Sequence, residues 1–131
     1  MPPTTADEAC PFCALPRERI IAANELALAV RDAYPVTPGH TLIITRRHVE
    51  SWFGTTAGER LAIFELAERC RVELEAELEP EGYNLGVNVG AAAGQTVMHV
   101  HVHLIPRFKG DVEDPTGGIR NVIPGKANYR K

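Results

Sequence analysis

Residues 99–107, HVHVHLIPR, set His99, His101 and His103 at strict two-residue intervals with apolar residues between them. Alternate side chains of a β-strand share a face, so this spacing predicts three imidazoles about 6.6–6.8 Å apart along one strand. Val100, Val102 and Leu104 then face a core, and Pro106, lacking an N–H, is expected to end the ladder. Imidazole titrates nearer neutrality than other side chains, and it serves as ligand, base or nucleophile. The row is therefore open to three readings. It is an incidental solvated face, or a metal hydrolase site in which His-x-His supplies two ligands, or a phosphoryl-transfer site with one imidazole as nucleophile. A second cluster, Cys10 and Cys13 in CPFC, has the spacing with which two thiolates grip one tetrahedral metal. A redox dithiol shares that spacing but is normally followed by a helix, whereas here Pro16 arrives three residues later.

Several elements must position these groups. Ile20–Ala23 and residues 25–31 read as short strands around a turn at Asn24, and residues 40–45 (HTLIIT) as a buried strand. Thr56 with Glu59 forms a capping box that opens a helix running to about Leu78. Along it Ile63, Ala67, Cys70, Leu74 and Leu78 recur at helical spacing, so Cys70 is an inert core thiol. Pro80 and Gly82 end the helix. Residues 82–89 form another strand, the GAAAGQT loop follows, and the tail at 108–131 is turn-rich and irregular. Hairpin-length strand pairs with one long helix indicate an α+β domain with an antiparallel sheet, spanning residues 1–131 with a loose tail at 1–9.

At 131 residues the chain suits one domain, and with 44% hydrophobic and 24% charged residues it resembles an ordinary soluble protein. A net charge of −3 gives no reason to expect nucleic acid or an anionic membrane as partner. The N-terminus lacks a secretory pattern and no apolar run approaches the roughly 20 residues that span a bilayer, so a cytoplasmic location is expected.

The run GQTVMHVHVHLIPR resembles the signature of the histidine-triad (HIT) superfamily, His-φ-His-φ-His-φ-φ with φ apolar. The likeness extends through Pro38-Gly39-His40, Asp32 and Asn88, and the tail is similar to that of bacterial members related to dinucleoside polyphosphate hydrolases. The resemblance implies a five-stranded antiparallel sheet with the helix packed on it, extended across a homodimer. It implies cleavage at the α-phosphate of an adenosine dinucleoside polyphosphate or adenylylated small molecule through a nucleotidyl-histidine. The alternatives are a purine nucleoside phosphoramidase, phosphorolysis, or a nucleotide-binding sensor with little turnover. By position, His101 matches the nucleophile, His103 a contact to phosphate or leaving group, and His40 a buttress of the row; His99 completes the triad. Asp32 is expected at the ribose hydroxyls, Asn88 at ribose or phosphate, and Gln95 and Thr96 at phosphate. An apolar base pocket is expected around Leu28, Val30 and Ile43. Some relatives hold a structural zinc, which here implies Cys10, Cys13, His48 and His99 as ligands, with no metal needed for the chemistry.

Other residues carry blander expectations. The glutamates from Glu65 to Glu79 interleave with Arg69 and Arg71 as a solvated helix face. Trp52 and Phe53 anchor the loop before the helix. Arg107 and Lys109 either meet a polyphosphate or are simply exposed.

Overall fold

The computed structural model describes residues 10–130, so the expected tail at 1–9 lies outside the described residues, as does Lys131. Five strands and one long helix follow in the order β1 (Ile20–Ala23), β2 (Ala27–Arg31), β3 (Thr41–Thr45), α1 (Ala57–Leu78), β4 (Gly82–Val87) and β5 (His101–Arg107). They form one antiparallel sheet ordered β1-β2-β3-β5-β4. β2, β3 and β4 are each shorter than the hydrophobic pattern suggests: β2 opens at Ala27 because the Asn24 side chain takes the N–H groups of Leu26 and Ala27 for a turn. β3 begins after His40, and β4 stops two residues before Val89.

Register decides which residues share a face. Ala27, Ala29, Ile43, Val102 and Leu104 lie beneath α1, which contributes Ile63, Leu66, Ala67, Cys70 and Leu74 to the same core. Burying side chains such as Ile63 or Leu66 contributes about 1.5–3 kcal/mol each. Leu28, Val30, Leu42 and Ile44 point to the opposite face, where Phe12, Leu15 and Ile20 cover them. β2 and β3 are thus apolar on both faces. Ile43, expected beside Leu28 and Val30, belongs instead to the helix side, and Leu42 and Ile44 are the β3 residues that share their face, since a one-residue step along a strand reverses the face.

The helix begins as its capping box dictates, Thr56 Oγ1 accepting from Glu59 N and Glu59 Oε1 accepting from Thr56 N. The Glu59 carboxylate is buried and also takes a bidentate pair from Arg47 at 2.8 and 3.0 Å, which holds its pKa below the usual carboxylate range. That pair fixes the helix start to the end of β3, beside His48. The helix closes at Glu79, which adopts the left-handed conformation before Pro80.

Pro106 does not end the strand. It lies inside β5, paired with Tyr83 of β4, while pairing with β3 has already stopped at Thr41↔Leu104. Its carbonyl accepts from Thr37 Oγ1 at 2.6 Å, so its missing N–H faces the side where no ladder continues.

Candidate functional site

The expected alternation holds: Val100, Val102 and Leu104 lie in the core beneath the helix, and on the other face the Phe12 ring meets the edges of both the His99 and His101 rings. β5 begins at His101, and His99, just before it, sets its fully buried ring against the cysteines. Its Nε2–H donates to Thr45 O at 2.7 Å, which leaves the Nδ1 lone pair 3.3 Å from Cys10 Sγ and 3.5 Å from Cys13 Sγ. His48 Nδ1 lies 3.2 Å from Cys13 Sγ. The ligand atoms of Cys10, Cys13, His48 and His99 all fall within 4.8 Å of one another. Two thiols and two imidazole nitrogens converging on one point fit a closed tetrahedral ion with bonds of about 2.0–2.3 Å.

His101 keeps the strand geometry. Its Nδ1 lies 2.8 Å from the carbonyl of His99, and a carbonyl only accepts, so Nδ1 carries the proton and Nε2 presents its lone pair. The ring is 8% exposed, wedged between His103 (centroids 5.2 Å) and the edge of Phe12 (5.0 Å).

A second chain of protons fixes His103. Val36 N–H donates to His40 Nδ1 at 3.2 Å, so the His40 proton sits on Nε2, which donates to His103 Nδ1 at 3.0 Å. His103 therefore carries its proton on Nε2. Burial lowers the His40 pKa against the raising effect of Asp32. The His103 pKa falls to about 4, by burial first and then by the neighbouring His101 and His40 rings. Both are neutral at pH 7. Asp32, His40 and His103 also converge closely enough for a metal, but the His40 tautomer leaves no lone pair on Nε2 to bind one. Gly39 sets His40: at φ +84° a Cβ there would stand 2.7 Å from Leu74 Cδ2 and 2.9 Å from Leu78 Cδ1.

The remaining expected residues divide. Asp32 Oδ1 accepts from Tyr34 N at 2.8 Å in a local turn, while Oδ2 lies 3.5 Å from His40 Nε2 at the edge of the site. Asn88 follows β4 one step past the Val87↔Val102 pair, which places it across from His101. Thr96 is exposed and lines a cleft of about 420 Å³ with Cys10, His48, Glu50 and Met98. Gln95 is not directed at that space. Its Oε1 accepts from Gly90 N, its Nε2 donates to Glu50 O and Val97 O, and its own N–H bonds Gly90 O, so its hydrogen-bonding groups act inside the loop.

Arg107 is likewise committed, to Asp111 through Nε and Nη2 and to Asn84 through Nη1. Trp52 packs on Phe64 (5.8 Å), whereas Phe53 is exposed and anchors nothing. Cys70 is buried, its thiol pKa raised by that burial. Sequence reasoning missed Phe12, although an aromatic between two candidate metal ligands was a visible sign, and it missed Val36, whose backbone N–H has no sequence signal.

Among the described residues no helix is long and apolar enough to cross a membrane. The HIT domain family model matches residues 16–110, and the chain belongs to the HIT family. It is 31% identical over 131 residues to AP-4-A phosphorylase of Mycobacterium tuberculosis, covering 94% of this chain and 67% of that one. It is 33% identical over 96 residues to the asymmetrical bis(5'-nucleosyl)-tetraphosphatase of Schizosaccharomyces pombe, covering 73% and 53%. A zinc-bound histidine triad family protein from Mycobacterium smegmatis superposes with a TM-score of 0.74 at 32% identity, covering 82% of this chain and 81% of that one.

Proposed function

We propose that the protein is a nucleotidyl hydrolase or transferase that cleaves at the α-phosphate of an adenosine dinucleoside polyphosphate or an adenylylated small molecule. The observation that carries this reading is the His101 tautomer: the bond to His99 O commits Nδ1 as donor and leaves Nε2 with a lone pair beside the neutral His103. His101 Nε2 attacks phosphorus, a P–N bond forms, and the bond from phosphorus to the leaving group breaks. His103 Nε2–H donates to a phosphate or leaving-group oxygen, where its hydrogen bond strengthens as charge develops. His40 is a positioning residue that keeps that proton on Nε2. Asp32 Oδ2 takes a ribose hydroxyl, Asn88 and Thr96 meet phosphate, and Gln95 shapes the loop that presents Thr96. Phe12 with Leu28, Val30, Leu42 and Ile44 forms the apolar floor for the base.

Water completes the reaction by attacking the nucleotidyl-histidine, with imidazole as leaving group. The likeness to AP-4-A phosphorylase favours a second reading in which inorganic phosphate is the acceptor. Cys10, Cys13, His48 and His99 would hold a structural zinc, which clips the segment carrying Phe12 to the start of β5 and takes no part in bond making. A homodimer would extend the sheet through β4, one of its two edge strands and the one paired with the histidine strand, where Leu85 is exposed.

The test is an acid-quenched incubation with a dinucleoside tetraphosphate, followed by peptide mass analysis. A nucleotidyl adduct on His101 supports the reading, as does its absence from His101→Ala. Turnover with the adduct on another residue, or undiminished turnover in His101→Ala, refutes it.

A further inference from the structure

The C-terminal segment, expected as an irregular tail, is built against the site. Residues 118–122 form a short 3-10 turn lying on β4, on the sheet face that His101 and His103 of β5 share. Gly86 stands directly across the ladder from His103, and Ile119 Cδ1 lies 3.4 Å from where a Gly86 Cβ would be. Gly118 packs on Asn84, whose Oδ1 holds Arg107. The segment also closes on itself. A Cβ on Gly117 (φ +82°) would sit 1.9 Å from Ala127 O, Arg120 Nε donates to that same carbonyl, and Asn128 Nδ2 donates to Asp114 Oδ2. This is a wall with defined contacts.

Between that wall and the β2–β3 loop lies a cavity of about 300 Å³. Val36, Val112 and Pro115 give it apolar surface, and Thr37, Thr116 and Asn121 give it polar groups. Most of its polar side chains are already engaged: Thr37 with Pro106 O, Arg107 with Asp111 and Asn84, and Asp114 with Thr116 N and Asn128. Among the described residues, the Asn121 carboxamide and the Thr116 hydroxyl have no protein partner. The cavity adjoins the reacting groups through Val36, whose N–H fixes His40 and thereby His103.

We propose that this cavity is the subsite for the second nucleoside of a dinucleoside polyphosphate, with Asn121 and Thr116 as the groups that hydrogen-bond it. The inference rests on His101 as nucleophile. Because Nδ1 of His101 is bound to His99 O, Nε2 points away from the Cys/His cluster, and an in-line leaving group departs in that direction. Along β5, Arg107 at the cavity wall is four residues from His103 and six from His101, about 13 and 20 Å at the usual strand rise. A small amine leaving group cannot span that distance, whereas a nucleoside joined through several phosphates can. The volume and mixed lining match a nucleoside-sized ligand, with apolar surface for a base and a few placed polar groups for its edge and hydroxyls.

The experiment compares kcat/KM for diadenosine tetraphosphate with that for an AMP aryl amidate in the wild type, Asn121→Ala and Thr116→Trp. Loss of one or two hydrogen bonds, or filling of the cavity, lowers the ratio of the two-ended to the one-ended substrate about five- to tenfold. An unchanged ratio in both variants, with circular dichroism and melting temperature matching the wild type, overturns the proposal. Should Thr116→Trp fail to fold, Asn121→Ala alone decides. If neither substrate turns over, the nucleophile reading has failed separately. Calorimetry with a methylene-bridged diadenosine tetraphosphate then decides the subsite: weaker binding to Asn121→Ala sustains it, and equal binding refutes it.

Discussion

Replacing His103 by asparagine tests the electrostatics of the site directly. In the folded protein the His103 pKa is about 4, against an ordinary value of 6.5. Between those values the unfolded chain binds a proton that the folded one does not, so stability rises with pH through this window and is lost as pH falls. For one group with these two pKa values, the loss between pH 7.5 and 5.0 is about 2 kcal/mol by linkage. The ring is only partly buried, which brings the expected value to roughly 1–2 kcal/mol. In His103→Asn the carboxamide oxygen accepts the same hydrogen bond from His40, but the side chain cannot titrate. Urea unfolding at pH 7.5 and 5.0, on wild type and His103→Asn at equal zinc content, gives a difference of differences in which other titrating groups cancel. The wild type should lose about 1–2 kcal/mol more than the variant. Equal losses within about 0.5 kcal/mol, near the spread of independent sites, would show that His103 is not held neutral by its burial. The proton chain from Val36 through His40 would then be wrong.

Three further outcomes follow from the same geometry. His101→Ala should lose at least about three orders of magnitude in turnover while still binding nucleotide, as loss of a covalent nucleophile does; steady-state kinetics and calorimetry read both. The protein should bind about one zinc per chain, and its removal or Cys10→Ser should lower the melting temperature, because metal binding free energy becomes folding free energy. Metal analysis with calorimetric melting checks this, and unchanged stability without metal refutes it. Since the turn at Tyr34 leaves Asp32 one oxygen for a ribose hydroxyl, ribose should be favoured over 2′-deoxyribose by about 1.5–3 kcal/mol, roughly ten- to 150-fold in kcat/KM. Matched adenosine and 2′-deoxyadenosine substrates measure it, and Asp32→Asn should reduce the preference.

The helix was legible because its start is a local device: Thr56 and Glu59 cap each other without reference to the rest of the chain. The apolar pattern located β1 in full but lengthened β2, β3 and β4, because hydrophobic runs persist where hydrogen-bonded pairing has stopped. Face assignment failed at Ile43, since alternation along β3 shows two sets of side chains but not which one meets the helix when both are apolar. Spacing gave the register of His101 and His103. It could not show what His99 meets, because Thr45 O and the two thiols at its ring are 54, 89 and 86 residues away in sequence.

Those partners of His99 join the two halves of the site. The side chain of His99 faces the cysteines while its carbonyl holds the proton of His101. One residue thus belongs to the Cys/His cluster and fixes the tautomer of the proposed nucleophile. Movement of the His99 backbone on metal loss would lengthen the 2.8 Å bond and release Nδ1. His101 would then exchange tautomers, and the fraction with a lone pair on Nε2 would fall. Phe12, between Cys10 and Cys13, would lose its seat against the same ring. A structural zinc held by this cluster would in this way bear on reactivity through a single carbonyl without taking part in bond making.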